Sequence, residues 1–184
     1  MEKTSYVFLA DGFEEVEALT CVDVLRRAGM PVTTVSINPG REVTGAHGVT
    51  VVADSAFDDN DYHRAEWMVL PGGIPGAPNL YEHDGLCQAL TAIDERHGNI
   101  AAICASPAVV LAPLGILRGR QAVCYPGMET GDKSIRWQQQ PVAVDGHVVT
   151  GNGPAAATPF ALKLVELTRG RTVAGQVAAG MLYR

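Results

Sequence analysis

Residues 100–107 read Ile100-Ala101-Ala102-Ile103-Cys104-Ala105-Ser106-Pro107. Four apolar residues are too few for a helix and suit a strand buried on both faces. The run breaks at Cys104-Ala105-Ser106 and gives way to a helical stretch that closes near Pro113–Gly115. The same order recurs on both sides of it. Upstream, Ser5–Ala10 ends in Asp11-Gly12 and leads into a helical pattern over Phe13–Ala28, closed by Gly29. Pro31–Ile37 is a β-branched run that stops at Asn38-Pro39-Gly40, which reads as a second strand. Trp67–Leu70 stops at Pro71-Gly72-Gly73, and Asp84–Arg96 follows with Leu86, Leu90 and Ile93 on one side. Downstream, His147–Thr150 leads into Gly151-Asn152-Gly153-Pro154, a helix over 155–168 and a last short helix over 172–179. Repetition of strand, glycine turn and helix predicts an α/β fold, a doubly wound parallel sheet with helices on both faces. Residues 42–45 and 48–53 predict a small accessory hairpin around Ala46-His47, and residues 58–64 a polar connector. No element is assigned to residues 116–146.

The chain has 184 residues, which fits one domain spanning 1–184. A hydrophobic fraction of 47% and a charged fraction of 18% describe a packed globule and argue against disorder. Net charge is −6 with no run of Lys or Arg, which excludes nucleic acid as the primary partner. The N-terminus lacks the basic region and long apolar core of a signal peptide. The most apolar stretch, Ala101–Leu117, is broken by Ser106, Pro107, Pro113 and Gly115, too short and interrupted to span a membrane. These features point to a cytoplasmic protein. Cys21, Cys87, Cys104 and Cys124 show no C-x-x-C pair, and the five histidines no ligand spacing, so no metal is expected.

In open α/β sheets, sites form beyond the carboxyl ends of the strands. Asp11-Gly12, Pro71-Gly72-Gly73, Cys104-Ala105-Ser106 and Gly151-Asn152-Gly153 each fall there. Cys104 has small residues two places away on either side, Ala102 and Ser106, the pattern of a nucleophile elbow. A following helix N-terminus would favour its thiolate. Backbone N–H groups of Gly72, Gly73 and Ala105 are the expected oxyanion donors, since a residue without Cβ lets the backbone approach a reacting oxygen. Glu14, Glu15 and Glu17 open the first helix, where carboxylates meet the macrodipole favourably. Glu17 differs, because it aligns with Cys21, Val24 and Ala28 on the buried stripe. A buried carboxyl must be paired or protonated, and a protonated Glu17 could donate to the Cys104 sulfur. The segment Gly151–Ala156 matches G-x-G-x-x-A but leaves too little chain for a dinucleotide fold, so Asn152, Gly153 and Pro154 read as a turn lining the pocket.

Five stretches together resemble the ThiJ/PfpI superfamily, and within it the DJ-one branch. They are residues 10–17, 22–29, 69–73, 101–107 and 150–154, which read ADGFEEVE, VDVLRRAG, VLPGG, AAICASP and TGNGP. The resemblance implies a flavodoxin-like homodimer with Cys104 as nucleophile and Glu17 as its carboxylic acid partner. It also implies an anion-tolerant pocket between subunits to which Arg27 and His47 contribute. The sequence departs from relatives in three places. Ala105 stands where the protease branch has histidine, Tyr125-Pro126 where some relatives have His-Pro, and His47 where some have arginine.

The expected function is cysteine-dependent, cofactor-free conversion of 2-oxoaldehydes such as methylglyoxal and glyoxal to hydroxy acids, or deglycation of early glycation adducts. The alternatives are a redox sensor or chaperone acting through oxidation of Cys104, and an amidase or peptidase.

Overall fold

The computed structural model describes residues 3–184. In chain order its elements are β1 (Ser5–Leu9), α1 (Glu15–Arg27), β2 (Val32–Ser36), β3 (Glu42–Thr44), β4 (Thr50–Val52), β5 (Ser55–Ala56), β6 (Met68–Leu70), α2 (Gly76–Glu82), α3 (Asp84–Glu95), β7 (Ile100–Ile103), β8 (Gln121–Ala122), β9 (Arg136–Trp137), β10 (Val142–Asp145), β11 (Val148–Gly151), α4 (Ala157–Arg169) and α5 (Arg171–Gly180). Seven strands form one sheet in the order β10-β11-β7-β6-β1-β2-β5. From β2 through β11 this is the flavodoxin-like order, in which the chain steps outward from β1 on one side and resumes on the other.

The alternation along each strand explains the layers. Val7, Leu9, Val69, Ala101 and Ile103 face one side and pack with Leu25, Phe160 and Leu164 of α1 and α4. Phe8, Met68, Leu70, Ile100 and Ala102 face the other and pack with Leu80, Leu86 and Leu90 of α2 and α3. A strand buried on both faces has no polar positions to spare, which is why these runs are continuously apolar. Fully burying a side chain such as Phe160 contributes about 1.5–3 kcal/mol, and it is 0% exposed.

Four features differ from the sequence expectations. The sheet is not wholly parallel, because β10 pairs antiparallel with β11; Asp145-Gly146-His147 is short enough to turn the chain straight back. The helical stretch after Cys104 is wound as a π-helix over Pro107–Leu111, in which the Ala112 N–H reaches the Pro107 carbonyl. The Gly-rich loop after β6 yields α2 before α3. The connector over 58–64 contains two single 3₁₀ turns, preceded by the edge strand β5. The accessory hairpin is present as β3 and β4, paired antiparallel with Val43 opposite Val51.

Candidate active site

β1 lies between β2 and β6, so the loops leaving β1 and β6 turn to opposite faces and open a crevice at their carboxyl ends. Backbone bonds tie the two loops together: Glu14 N–H to Gly72 O at 3.0 Å and Gly76 N–H to Gly12 O at 3.2 Å. The approach is close enough that a Cβ on Gly73, whose φ is +95°, would lie 2.3 Å from Gly12 O. A Cβ on Gly72 would lie 2.5 Å from Cys104 Cβ, 2.8 Å from Glu17 Oε2 and 3.0 Å from Cys104 Sγ. Only glycine fits between the cysteine and the glutamate.

Cys104 follows β7, the neighbour of β6, and has a φ of +63°. That conformation is costly for a residue with a Cβ. The backbone is held there from two sides: its N–H donates to Gly151 O at 2.9 Å, and its carbonyl accepts from Tyr125 N–H at 2.8 Å. The resulting elbow lifts the thiol to the crevice while leaving it 8% exposed. Ser106 anchors the turn by donating its hydroxyl to Pro71 O.

Glu17, on the first turn of α1, is 0% exposed. Its Oε2 accepts from Gly72 N–H at 2.7 Å, while Oε1 is buried without a hydrogen-bond partner of good geometry. Burial pushes its pKa up to about 7, against the opposing pull of the Gly72 N–H and Cys104, with the Glu14 charge adding to the rise. Burial, and then the Glu17 carboxylate, push the Cys104 thiol up to about 12, opposed by the N–H groups of Gly73 and Ala105. Two anions therefore do not coexist here. Of the two groups Glu17 gives up its proton first, and its charge then holds the neighbouring sulfur in the thiol form.

This geometry bears out one expectation and corrects another. The segment after Cys104 is helical, with Val109 N–H bonded to Ala105 O, Ala112 N–H to Pro107 O and Leu114 N–H to Val110 O, so Ala105 stands at a helix N-terminus. The donors that favour thiolate are the individual N–H groups of Gly73 and Ala105. Gly72 is not an oxyanion donor, because its N–H is committed to Glu17.

The remaining predicted residues fall in different places. Asn152, Gly153 and Pro154 leave β11 beside Tyr125, whose ring comes within 3.5 Å of a Cβ placed on Gly153. Asn152 lines a cavity together with Cys124. His47 sits exposed at the hairpin tip, its Nδ1 2.9 Å from Glu15 Oε2 and 3.6 Å from Glu14 Oε2. Its pKa is raised, first by the hydrogen bond to Glu15 and then by the Glu14 and Glu15 charges. Arg27 is not brought to Cys104 by its own chain. It ends α1, ten residues past Glu17 and so about 15 Å along the helix, and pairs with Asp23 at 2.6 Å. Among the described residues no histidine is hydrogen-bonded to Cys104, so the site contains no Cys-His pair.

Glu15 does more than meet the helix macrodipole. It is 7% exposed, and Oε1 accepts from the N–H groups of His47 at 2.8 Å and Val49 at 3.3 Å. Burial raises its pKa, but the His47 ring and these N–H groups outweigh that and leave it lowered. Glu14, Glu15 and His47 bring one ligand atom each within 4.8 Å of one another. Glu15 and His47 already satisfy each other, with Glu14 3.6 Å from the same ring nitrogen, which makes the cluster a pin for the hairpin.

An elbow cysteine against a buried, protonatable carboxyl, at the switch point of a flavodoxin-like sheet, defines a class of cysteine-centred α/β proteins. The chain belongs to the DJ-1/PfpI family, which it matches over residues 3–167. It is 37% identical over 187 residues to the Parkinson disease protein 7 homolog of Danio rerio, covering 99% of this chain and 98% of that one. It is 30% identical over 166 residues to Deglycase TK1284 of Thermococcus kodakarensis, covering 89% and 98%. It spans 40% of the longer Protein DJ-1 homolog B of Arabidopsis thaliana, at 35% identity. The solved structure of oxidized Toxoplasma gondii DJ-1 superposes with a TM-score of 0.93 at 36% identity, covering 98% of each chain. No helix among the described residues is long and apolar enough to cross a membrane.

Proposed function

We propose that the protein is a cofactor-free enzyme in which Cys104 converts 2-oxoaldehydes to hydroxy acids, or removes the same carbonyl group from early glycation adducts. The observation that carries this reading is the buried Glu17 carboxyl held against the Cys104 thiol with Gly72 N–H on one oxygen. The relative named a deglycase supports the reaction class. The thiolate adds to the aldehyde carbon of methylglyoxal, forming a C–S bond, and the oxygen takes a proton to give a hemithioacetal. Glu17, ionised after giving up its proton, removes the hydrogen on that carbon as an enediol forms. Returning a proton to the adjacent carbon yields the thioester of lactate. Water hydrolyses the thioester and frees the thiol. The aldehyde carbon is oxidised and the ketone carbon reduced, so no external electron carrier is consumed. The N–H groups of Gly73 and Ala105 stabilise charge as it moves from sulfur to oxygen.

The working protein is a cytoplasmic homodimer in this reading. Val16 and Leu19 of α1 are 52% and 41% exposed, and Val49 and Val52 of the hairpin 50% and 63%, an apolar surface suited to a second copy. Arg27, remote from Cys104 in its own chain, would enter a pocket only across such an interface. A proton-NMR time course of methylglyoxal without added thiol tests the reaction: the wild type produces lactate, and Cys104→Ala produces none. Unchanged turnover in that variant refutes the mechanism.

A second reading has its own observation, the N–H groups of Gly73 and Ala105, which lower the Cys104 pKa and so favour an anion at the sulfur. They would also hold a sulfinate, formed when the thiolate takes one oxygen from each of two peroxide molecules and releases two waters. Selective addition of two oxygens at Cys104 without aldehyde turnover favours this reading.

A further inference from the structure

The two chain neighbours of Tyr125, the buried Cys124 and Pro126, line a cavity of about 350 Å³ together with Glu129, Gln138, Gln140, Pro141 and Asn152. We infer that it is a subsite for the hydroxylated tail of a substrate larger than methylglyoxal; this rests on the aldehyde reading above and names its preferred substrate class. Three observations place it and define its chemistry. First, it adjoins the nucleophile through the backbone. Tyr125 donates to the Cys104 carbonyl, Cys124 is its neighbour in the chain, and its ring lies against Gly153, the neighbour of Asn152. Second, its rim is braced, since Asn152 N–H donates to Pro141 O at 3.0 Å and Glu129 Oε2 accepts from Gly127 N–H at 2.9 Å. Third, the lining is rich in amides and a carboxylate and contains neither lysine nor arginine. Amides offer both donors and acceptors, which matches hydroxyl groups, whereas a phosphate or carboxylate tail would meet Glu129 with no cation to offset it.

The cavity falls in the size range of small-molecule sites. Methylglyoxal carries only a methyl group beyond its reacting carbons and leaves such a space to water. A 2-oxoaldehyde with a polyhydroxyl chain, bonded to Cys104 through its aldehyde carbon, can extend past Tyr125 into it. The reaction is the same internal oxidation and reduction, consuming one water.

The test compares methylglyoxal with glucosone, a 2-oxoaldehyde whose other four carbons bear hydroxyls. Wild type is expected to show at least a fivefold lower KM for glucosone. The double variant Gln138→Ala/Gln140→Ala, altered at two exposed positions, is expected to lose that advantage while methylglyoxal kcat/KM stays within twofold. Equal KM values in the wild type, or an equal effect of the variant on both substrates, overturns the subsite. Binding is read independently by titrating Cys104→Ala with D-arabinitol and following the amide resonances of Asn152 and Gln140. Absence of saturable shifts overturns the subsite even where methylglyoxal is consumed. Saturable shifts, lost in the further double substitution, support the subsite even if methylglyoxal is not turned over, an outcome that defeats only the aldehyde reaction.

Discussion

Glu17 is the fully buried carboxyl of the crevice. Its folded pKa is about 7 against an ordinary 4.5, with burial as the main cause. A raised carboxyl pKa means that the folded state holds a proton the unfolded chain has released. Stability is therefore highest below about pH 4.5 for this group, falls as pH rises toward 7, and then levels off. At ~1.4 kcal/mol per unit, the loss approaches roughly 3 kcal/mol. Glu17→Gln keeps an acceptor for Gly72 N–H and removes the titration. Urea unfolding at pH 5 and pH 8 should show wild type losing stability across the interval and the variant losing much less. The burial of Glu17 was legible because its spacing from Cys21 and Val24 put a carboxyl on an apolar stripe, where a charge is out of place. The elbow position of Cys104 was legible because strand, cysteine and small residues coincide. The assignment of Gly72 was not: its N–H was expected at an oxyanion and binds Glu17 instead. A Gly-Gly pair signals close approach without saying which amide faces which acceptor.

At the level of elements, the hairpin β3–β4 has little core of its own, with Val43 its buried side chain. Its tip is fastened by Glu15, which satisfies two backbone N–H groups and the His47 ring. Glu15→Ala removes those hydrogen bonds and leaves the exposed groups of the tip to water, which loosens the hairpin without unfolding the core. Hydrogen exchange at His47 and Val49 should accelerate by roughly one to two powers of ten, with β1 and β7 amides unaffected; unchanged protection at the tip would show the pin to be idle. The His47 share of this fastening is present below its ordinary pKa of 6.5 and fades as pH rises through its raised folded value. The hairpin itself was readable from alternation around Ala46-His47, but its fastening was not. Glu15 looks like Glu14 in sequence, and its partners lie 32 and 34 residues away. Two-residue strands such as β8 and β9 were equally hidden, since they are too short to show any period and exist through pairing with each other.

For the whole molecule, the core strands and four of the helices follow from apolar runs and glycine turns, because strands covered on both faces leave an unbroken hydrophobic trace. What composition and pattern do not reveal is how copies meet. Val16, Leu19, Val49 and Val52 lie on α1 and the hairpin, the same elements that carry Glu17 and His47. Leu19→Glu with Val52→Glu, both at exposed positions, should convert a dimer to a monomer in sedimentation equilibrium without unfolding it. A variant that remains dimeric places the interface elsewhere. If Arg27 acts across this interface, aldehyde turnover falls with dissociation. The two margins of the sheet carry a different consequence. One margin is β5, two residues long; the other is antiparallel β10, beside which Gln121 N–H of β8 bonds to Asp145 Oδ2. Neither presents a long bare ladder to another chain, so the finished fold is protected against strand-to-strand polymerisation. That protection arrives late in synthesis, because the edge of β7 is covered only by β11, residues 148–151, which carries β10 on its own outer side. The edge of β7 therefore stays bare from its emergence until the β10–β11 hairpin docks.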